Sequence, residues 1–289
     1  MVPWNNTTGN EDPMSDNNPE IGKSISTAGY KTNYHDQGSG APVLMLHGSG
    51  AGVTGWANWR GQIPALAPNF RVIAPDLVGF GYTERPPGFE YRFMDTWVEQ
   101  TIALLDALGL EKAHIVGNSF GGSLALALAV QVPARVGRIV LMGSGGVAAE
   151  VTPELNELWA YKPSPANMKK IMSIMAYNQS LVSDEIAEMR YRATIRPGVQ
   201  EAFEHLFPVP RQRWLDAQIV ADEKLRALPH SVMIVHGRED RVVPVAVSHR
   251  LFEVIPRAQL HLFGECGHWT MIEHRDRFNR LVADFFSEP

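Results

Sequence analysis

Gly117-Asn118-Ser119-Phe120-Gly121 is a G-x-S-x-G pattern, and it stands where a short apolar run at 114–116 gives way to a helix-length segment. The two glycines remove side chains at the points where a sharp strand-to-helix turn brings the backbone together. Such a turn exposes the serine hydroxyl at its tip. We therefore predict that Ser119 is a nucleophile. Because so short a pattern also occurs by chance, the prediction depends on the rest of the chain.

Short apolar runs alternate with helix-length segments on both sides of this turn. The runs are bounded by Gly, Pro, Asn or Asp and lie at 42–47, 71–76, 114–116, 138–142, 232–236 and 259–263. Helical patterns occupy 95–108, 120–130, 246–254 and 275–286. The alternation predicts an α/β fold in which a mostly parallel sheet is flanked by helices on both faces.

The alternation stops after Gly146 and resumes near Val232. We interpret 147–230 as a helical cap inserted into a core domain made of 21–146 and 231–289. Its helical patterns are interrupted by prolines, among them Pro153, Pro163, Pro165, Pro197, Pro208 and Pro210. Residues 1–20 are rich in Asn, Asp, Thr and Pro and are expected to form a disordered tail. A cap inserted after the sixth strand lies above the carboxyl ends of the strands, where open α/β sheets bind ligands.

The composition excludes several classes of partner. The formal charge of -5 and the lack of Lys and Arg clusters interleaved with aromatic residues argue against nucleic acid. No apolar stretch approaches the roughly 20 residues that span a bilayer, so no membrane segment is expected. Cys266 is the only cysteine, which excludes an internal disulfide and a thiolate metal cage. We expect a cytoplasmic protein without a bound metal.

Two later loops supply the groups that a serine nucleophile requires. Asp240 follows the run at 232–236, and His268 follows the run at 259–263. A histidine takes the serine proton and an acid orients the histidine. The order Ser119, Asp240, His268 is the order used by α/β-hydrolases. Position favours these residues over a competing acid, Glu239, and over three competing bases, which are His236, His261 and His274.

The glycine-rich loop HGSGAG at 47–52 also follows a predicted strand. Its backbone amides can approach a ligand closely because side chains are few. We predict that the amides of Ser49 and Phe120 form an oxyanion hole, with Gly48 and Gly50 contacting the substrate. A phosphate cradle is the competing interpretation, but the lysine and hydroxyl ending of a P-loop is missing.

The cap segment 183–194 predicts an inward arginine. Ile186, Met189 and Ala193 share one helical face, and Arg190 falls in the same stripe. An inward arginine needs an anion, which is either a substrate carboxylate or a buried acidic side chain. Further pocket residues are expected beside the catalytic ones, namely Asn58, Asn118, Val242, Val243 and Trp269.

The motifs together resemble the meta-cleavage product hydrolases of aromatic degradation, within the α/β-hydrolase superfamily, and most closely the 2-hydroxymuconate-semialdehyde hydrolases. The resemblance covers about 21–288. It rests on HGSGAG at 47–52, WANW at 56–59, PDLVGFGYTERP at 75–86, VGNSFGG at 116–122, HGREDRVVP at 236–244 and CGHWTMIEH at 266–274. In the cap it rests on MRYRATIRPG at 189–198 and PRQRW at 210–214. Ala51 departs from the family's loop, which often has proline there.

The resemblance implies an eight-stranded sheet and hydrolysis of a carbon–carbon bond in a 2-hydroxy-6-oxohexa-2,4-dienoate, without a cofactor. Arg190 and Asn118 would hold the substrate carboxylate, and Asn58 and Trp269 the dienoate. His268 would carry protons. Attack on C6 then comes from Ser119 or from water activated by His268, and the resemblance leaves both open.

The width of the pocket for the C6 substituent depends on how Trp214 and Leu215 of the cap pack against Val243, so the sequence leaves it open. The resemblance also implies that the chain forms a homo-oligomer, at least a dimer. The triad alone does not choose the bond that breaks, so a carboxylesterase, a lipase-like enzyme or a perhydrolase is the main competing function. A non-catalytic ligand receptor on the same fold is a second one.

Overall fold

The computed structural model describes residues 18–86 and 88–288, and in them eight strands form one sheet. The strands are β1 (Lys23–Thr27), β2 (Tyr30–Gln37), β3 (Ala41–Leu46), β4 (Phe70–Pro75), β5 (Ala113–Asn118), β6 (Val136–Met142), β7 (Val232–Gly237) and β8 (Ala258–Phe263). Their order is β1-β2-β4-β3-β5-β6-β7-β8. The first two pair antiparallel with their neighbours and the other pairs are parallel. The predicted fold class is confirmed.

The apolar runs identified six of these strands and missed β1 and β2. The missed strands read KSIST and YKTNYHDQ, so polar residues outnumber apolar ones and no short apolar run marks them. Their pairing supplies the stabilisation: β2 lies antiparallel to β4, with Tyr34 opposite Pro75 and Gln37 opposite Val72. Pairing with a buried strand thus outweighs weak local signals.

Side-chain alternation along β3 divides the core into two layers. Leu44 and Leu46 pack on one face of the sheet, and Val43 and Met45 pack on the other. Four helices lie in the first half of the chain: α1 (Gly55–Trp59), α2 (Ile63–Leu66), α3 (Met94–Ala107) and α4 (Phe120–Gln131). Both faces are therefore covered, as a parallel sheet requires.

Six helices lie between β6 and β7, within the predicted cap at 147–230. They are α5 (Pro153–Trp159), α6 (Pro165–Met175), α7 (Asp184–Thr194), α8 (Val199–Leu206), α9 (Gln212–Asp216) and α10 (Asp222–Arg226). Two of the prolines that interrupt the pattern begin helices: Thr152 caps α5 and Ser164 caps α6, each followed by proline. The core resumes with α11 (Val245–Val254), α12 (Thr270–Glu273) and α13 (Arg275–Ser287). The exact division between cap and core stays a prediction.

The predicted tail lies outside the described residues except for its last three. Asn18, Pro19 and Glu20 pack on the core and line a cavity, so the prediction of disorder fails for them. The Asn33 side chain explains their order, since its amide donates to the Glu20 carbonyl at 3.1 Å and its oxygen accepts from Gly22 at 2.8 Å. Within 18–86 and 88–288, no helix has the length and apolar character needed to cross a membrane.

Candidate active site

The turn between β5 and α4 has the strained geometry that its glycines predict. Ser119 has φ 54° and ψ -117°, a backbone conformation that residues other than glycine rarely adopt. A Cβ at Gly117 would lie 2.3 Å from the Gly121 carbonyl oxygen, and a Cβ at Gly121 would lie 2.2 Å from that of Leu46. The Ser119 amide donates to the Met142 carbonyl at 2.8 Å. The turn therefore holds the serine rigidly at the end of the sheet.

Asp240 and His268 form a buried hydrogen-bonded pair. His268 Nδ1 donates to Asp240 Oδ2 at 2.6 Å. The other oxygen, Oδ1, accepts from the amides of Val242 and Val243 at 2.8 and 3.0 Å. Burial alone would raise the pKa of Asp240, but His268 and His236 outweigh it and hold this pKa below the usual range. Asp240 thus stays ionised and orients His268, which shares a cavity with Ser119.

His236 contacts the same aspartate from inside the sheet. Its Nε2 lies 3.0 Å from Asp240 Oδ2 and 2.9 Å from the Val243 carbonyl, and its Nδ1 lies 2.6 Å from Ser248 Oγ. Fully buried, it lines neither cavity described below. We infer that His236 positions the acid.

Glu239, His261 and His274, the remaining competitors for the acid and the base, contact residues other than Ser119. Glu239 accepts from the Cys266 amide at 3.0 Å and so supports the loop that carries His268. His261 contacts Gln259 at 3.0 Å, and the His274 ring packs 4.9 Å from that of Phe263. The geometry groups Ser119 with His268 and Asp240 rather than with these residues.

The loop after β3 is fixed from two directions. His47 Nδ1 donates to the Gly48 carbonyl at 2.7 Å, while its Nε2 accepts from the Leu77 amide at 3.0 Å. Burial lowers the pKa of His47 to about 4, so the ring is neutral and can make both bonds. Ser49 Oγ accepts from the Trp159 indole at 3.0 Å.

Phe120 is the first residue of α4, and the first amides of a helix have no hydrogen-bond acceptor inside that helix. The oxyanion hole of Ser49 and Phe120 remains a prediction compatible with this geometry.

A cavity of about 380 Å³ lies between core and cap above Ser119. Most of the predicted pocket residues line it, namely Gly48, Ser49, Gly50, Asn58, Asn118, Arg190, Val242, His268 and Trp269. The cap contributes methionines that sequence reasoning missed, namely Met168, Met172 and Met175. Nothing in the local pattern of α6 distinguishes these methionines from ordinary core residues.

Arg190 faces this cavity, as predicted, with 19% of its side chain exposed. Its Nη1 lies 3.7 Å from Glu20 Oε1, so an acidic side chain of the chain itself is one of its neighbours. Met189, which was expected to share the inward face, also lines this cavity, although it is 46% exposed. It precedes Arg190 by one residue, and 100° of rotation takes it toward the edge of the helix.

Asn58 and Asn118 face each other beside Ser119. Asn118 Nδ2 donates to Asn58 Oδ1 at 3.0 Å. Asn118 Oδ1 and Asn58 Nδ2 are buried and have no hydrogen-bond partner among residues 18–86 and 88–288. The cavity wall therefore presents one acceptor and one donor close to Ser119.

A second cavity of about 30 Å³ meets the first at Ser49, Ser119 and Val242, which line both. Leu215 and Val243, which were predicted as pocket residues, line it, and so does Phe120. Trp214 lines neither cavity, contrary to the prediction: its indole donates to the Pro208 carbonyl at 2.6 Å and its ring packs 5.2 Å from that of Phe93. Further wall residues that sequence reasoning missed are Gly145, Trp159 and Gln218.

Hydrogen bonds join the cap to the loop that carries His268. The His268 amide donates to the Met175 carbonyl at the end of α6, at 2.8 Å. The Glu273 carboxylate accepts from Gly267 through one oxygen and from Asn178 through the other, both at 2.7 Å. The position of His268 thus depends on the cap as well as on the sheet.

The alpha/beta hydrolase fold family model matches residues 41–275. Together with the serine turn and the sheet order, this match shows that the chain belongs to the α/β-hydrolase family.

Curated relatives indicate which group of α/β-hydrolases the chain belongs to. The chain is 54% identical over 272 residues to a 2-hydroxymuconate semialdehyde hydrolase of Pseudomonas sp. (strain CF600), covering 94% of this chain and 96% of the relative. It is 52% identical over 274 residues to a 2-hydroxy-6-oxo-2,4-heptadienoate hydrolase of Pseudomonas putida, covering 95% and 99%. A solved meta-cleavage product hydrolase from Pseudomonas fluorescens IP01 has 57% identity and a TM-score of 0.91, covering 92% of this chain and 98% of that one. Within its family, the chain is a member of the meta-cleavage product hydrolases, and the resemblance is confirmed.

Proposed function

We propose that the chain hydrolyses a carbon–carbon bond in a 2-hydroxy-6-oxohexa-2,4-dienoate with a small C6 substituent, giving 2-hydroxypenta-2,4-dienoate and a carboxylic acid. The observation that carries the proposal is the position of Ser119 where two unlike cavities meet. The larger one contains Arg190 and the asparagine pair, and the smaller one is mostly apolar. A substrate with a carboxylate at one end and a reactive carbonyl near the other fits in one orientation. Its carboxylate enters the larger cavity, its carbonyl lies at Ser119 and the group beyond the carbonyl enters the smaller cavity.

The larger cavity offers partners for the polar end of this substrate. The Arg190 guanidinium suits a carboxylate because its planar donors match the two oxygens. Asn58 Nδ2 offers a donor and Asn118 Oδ1 an acceptor, and both are buried without a partner in the described chain. A 2-hydroxyl group that donates to Asn118 while the carboxylate accepts from Asn58 satisfies both atoms. Trp269 packs against the dienoate from the side of His268.

In the first step the dienol becomes a ketone. The 2-hydroxyl proton leaves, a proton is added at C5, and the 2-oxo-3-enoate that results can accept the electron pair of the C5–C6 bond. His268 is the proton carrier, since it is buried beside Ser119 and held by Asp240.

In the second step the C6 carbonyl is attacked. Ser119 gives its proton to His268 and bonds to C6, while the amides of Ser49 and Phe120 stabilise the oxyanion. The C5–C6 bond then breaks, the dienoate takes the electron pair and a proton, and water opens the acyl enzyme. In the second possible route, His268 activates water and a gem-diol takes the place of the acyl enzyme. Rapid quench of Ser119→Ala with substrate separates the two, because substantial cleavage by this variant excludes an obligatory acyl enzyme.

The smaller cavity limits the group attached to C6. Its volume of about 30 Å³ is less than a tenth of the about 380 Å³ of the larger cavity. Hydrogen or methyl fits there without rearrangement, whereas a phenyl ring does not. The relatives named for the 6-hydrogen and 6-methyl substrates share 54% and 52% identity with the chain, while one named for the 6-phenyl substrate shares 36%.

The main test compares the yellow ring-fission products of catechol, 3-methylcatechol and 2,3-dihydroxybiphenyl in a spectrophotometric decay assay. We expect the first two to be hydrolysed at least tenfold faster than the third. Fast hydrolysis of p-nitrophenyl esters with no decay of any ring-fission product would instead identify a carboxylesterase. Tight binding of the products without turnover would identify a receptor.

We also propose a homo-oligomer in the cytoplasm. Leu262 on the edge strand β8 and Phe252 on α11, which packs against β8, are 40% and 45% exposed, and a second copy can cover these apolar side chains. Sedimentation velocity at micromolar concentration tests this, and a monomer there contradicts it.

A further inference from the structure

Six Glu and Arg side chains of the described residues line the larger cavity, namely Glu20, Arg60, Glu185, Glu188, Arg190 and Arg192. Three of them, Glu20, Arg60 and Arg190, act on one another electrostatically. Burial and the neighbouring Arg190 lower the pKa of Arg60 to about 10, and Glu20 opposes this effect. Arg60 is therefore charged at neutral pH, and both Arg190 and Glu20 act on it electrostatically.

Glu20 is held in place by the core. Its carbonyl accepts from Asn33 Nδ2 at 3.1 Å and lies 3.3 Å from His35 Nε2, and its amide donates to Asn18 Oδ1 at 2.9 Å. Asn33 also donates to the buried Asp76 at 2.8 Å. With 20% of its side chain exposed, Glu20 is a fixed part of the cavity wall rather than a mobile surface residue.

The contact between Glu20 and Arg190 is loose. Its 3.7 Å separation exceeds the roughly 2.8 Å of a charge-assisted hydrogen bond. Arg190 can therefore bind an incoming carboxylate while Glu20 stays beside it. Glu20 thereby offsets part of the positive charge that Arg190 offers to a carboxylate.

We propose that Glu20 is a positioning and charge-setting residue of the carboxylate subsite. Its negative charge offsets part of the positive charge of Arg190 and so weakens the attraction for a carboxylate. Because the product has the same carboxylate as the substrate, this weaker attraction allows the product to dissociate. This inference rests on the proposed function, because it requires that a carboxylate binds beside Arg190.

The test uses hexa-2,4-dienoate, which has the carboxylate and the diene but no C6 carbonyl, as an inhibitor, and hexa-2,4-dienamide as its neutral counterpart. Glu20→Gln keeps the shape and removes the charge. We expect it to lower the inhibition constant of the carboxylate about three- to tenfold, with less effect at high salt, and to leave that of the amide unchanged. Glu20→Asp, which keeps the charge, is expected to remain within about twofold of the unchanged enzyme.

Glu204→Gln is the matched control, because it removes the same charge from an exposed pair with Lys162 on the cap. It is expected to leave both inhibition constants unchanged. An unchanged or higher inhibition constant for the carboxylate in Glu20→Gln overturns the proposal, as does an equal change for the amide. If the unchanged enzyme binds the carboxylate no better than the amide, the carboxylate subsite of the proposed function is itself wrong, and the role of Glu20 falls with it.

Discussion

Replacing Asp240 by asparagine tests the pairing on which the site depends. The aspartate accepts from His268 at 2.6 Å and from two backbone amides at 2.8 and 3.0 Å. Asparagine has one oxygen, so its amide group must face either the fixed backbone amides or the His268 ring. If it faces the ring, Nδ1 becomes an acceptor and the ring proton moves to Nε2, which can then no longer take the proton of Ser119.

We therefore expect Asp240→Asn to lower kcat by roughly 10⁴, or about 5.4 kcal/mol of activation free energy, as in serine hydrolases whose histidine is locked in the wrong tautomer. The assay is single-turnover decay of the ring-fission product, with circular dichroism to confirm folding. Glu239→Gln is the matched control, because this neighbouring acid contacts the Cys266 amide instead, and we expect a loss below about tenfold. A loss below tenfold in Asp240→Asn, or equal losses in both variants, would refute the reasoning.

Three further predictions follow from burial and packing. Leu215→Ala enlarges the second cavity and is expected to raise kcat/KM for the 6-phenyl substrate relative to the 6-methyl one at least fivefold; an unchanged ratio in the decay assay contradicts the assigned wall. Burial raises the pKa of the Cys266 thiol to about 12, so iodoacetamide at pH 8 should leave native mass and activity unchanged and react after unfolding. Because the folded state lowers the pKa of Asp240, its ionised form stabilises the fold above the ordinary aspartate pKa of about 4, and this contribution is lost as pH falls through the lower folded value. Thermal unfolding should therefore show a steeper loss of Tm between pH 5 and 3 in the unchanged protein than in Asp240→Asn, and parallel curves would contradict it.

The sequence predicted the features that depend on short segments. The elbow at Ser119, six strands and the loops of Asp240 and His268 each have a local signature, because parallel strands bring their carboxyl ends to one edge. The inward face of Arg190 follows from helical periodicity in the same way. Each of these features lies on a single strand, helix or loop, and the local pattern of apolar residues predicts which side of it is buried.

The remaining features arise from contacts between distant segments. Glu20 belongs to a polar stretch with no periodicity, and its place at the cavity depends on Asn33 of β2, a strand that itself lacks an apolar signature. Trp159 reaches Ser49 across the boundary between cap and core. Trp214 illustrates the opposite error, since the bond from its indole to Pro208 turns it away from the cavity. How a cap helix is rotated is decided by packing that no short window contains.

Two hydrogen bonds, from the His268 amide to the Met175 carbonyl and from the Asn178 amide to the Glu273 carboxylate, have a consequence for protein engineering. A chimaera that exchanges the cap for that of another hydrolase also replaces the carbonyl that holds the histidine loop. Such a chimaera must therefore carry 175–178 together with 267–273 as one matched unit. If the two segments come from different parents, the graft shifts the position of His268, even though every catalytic residue and every strand is retained.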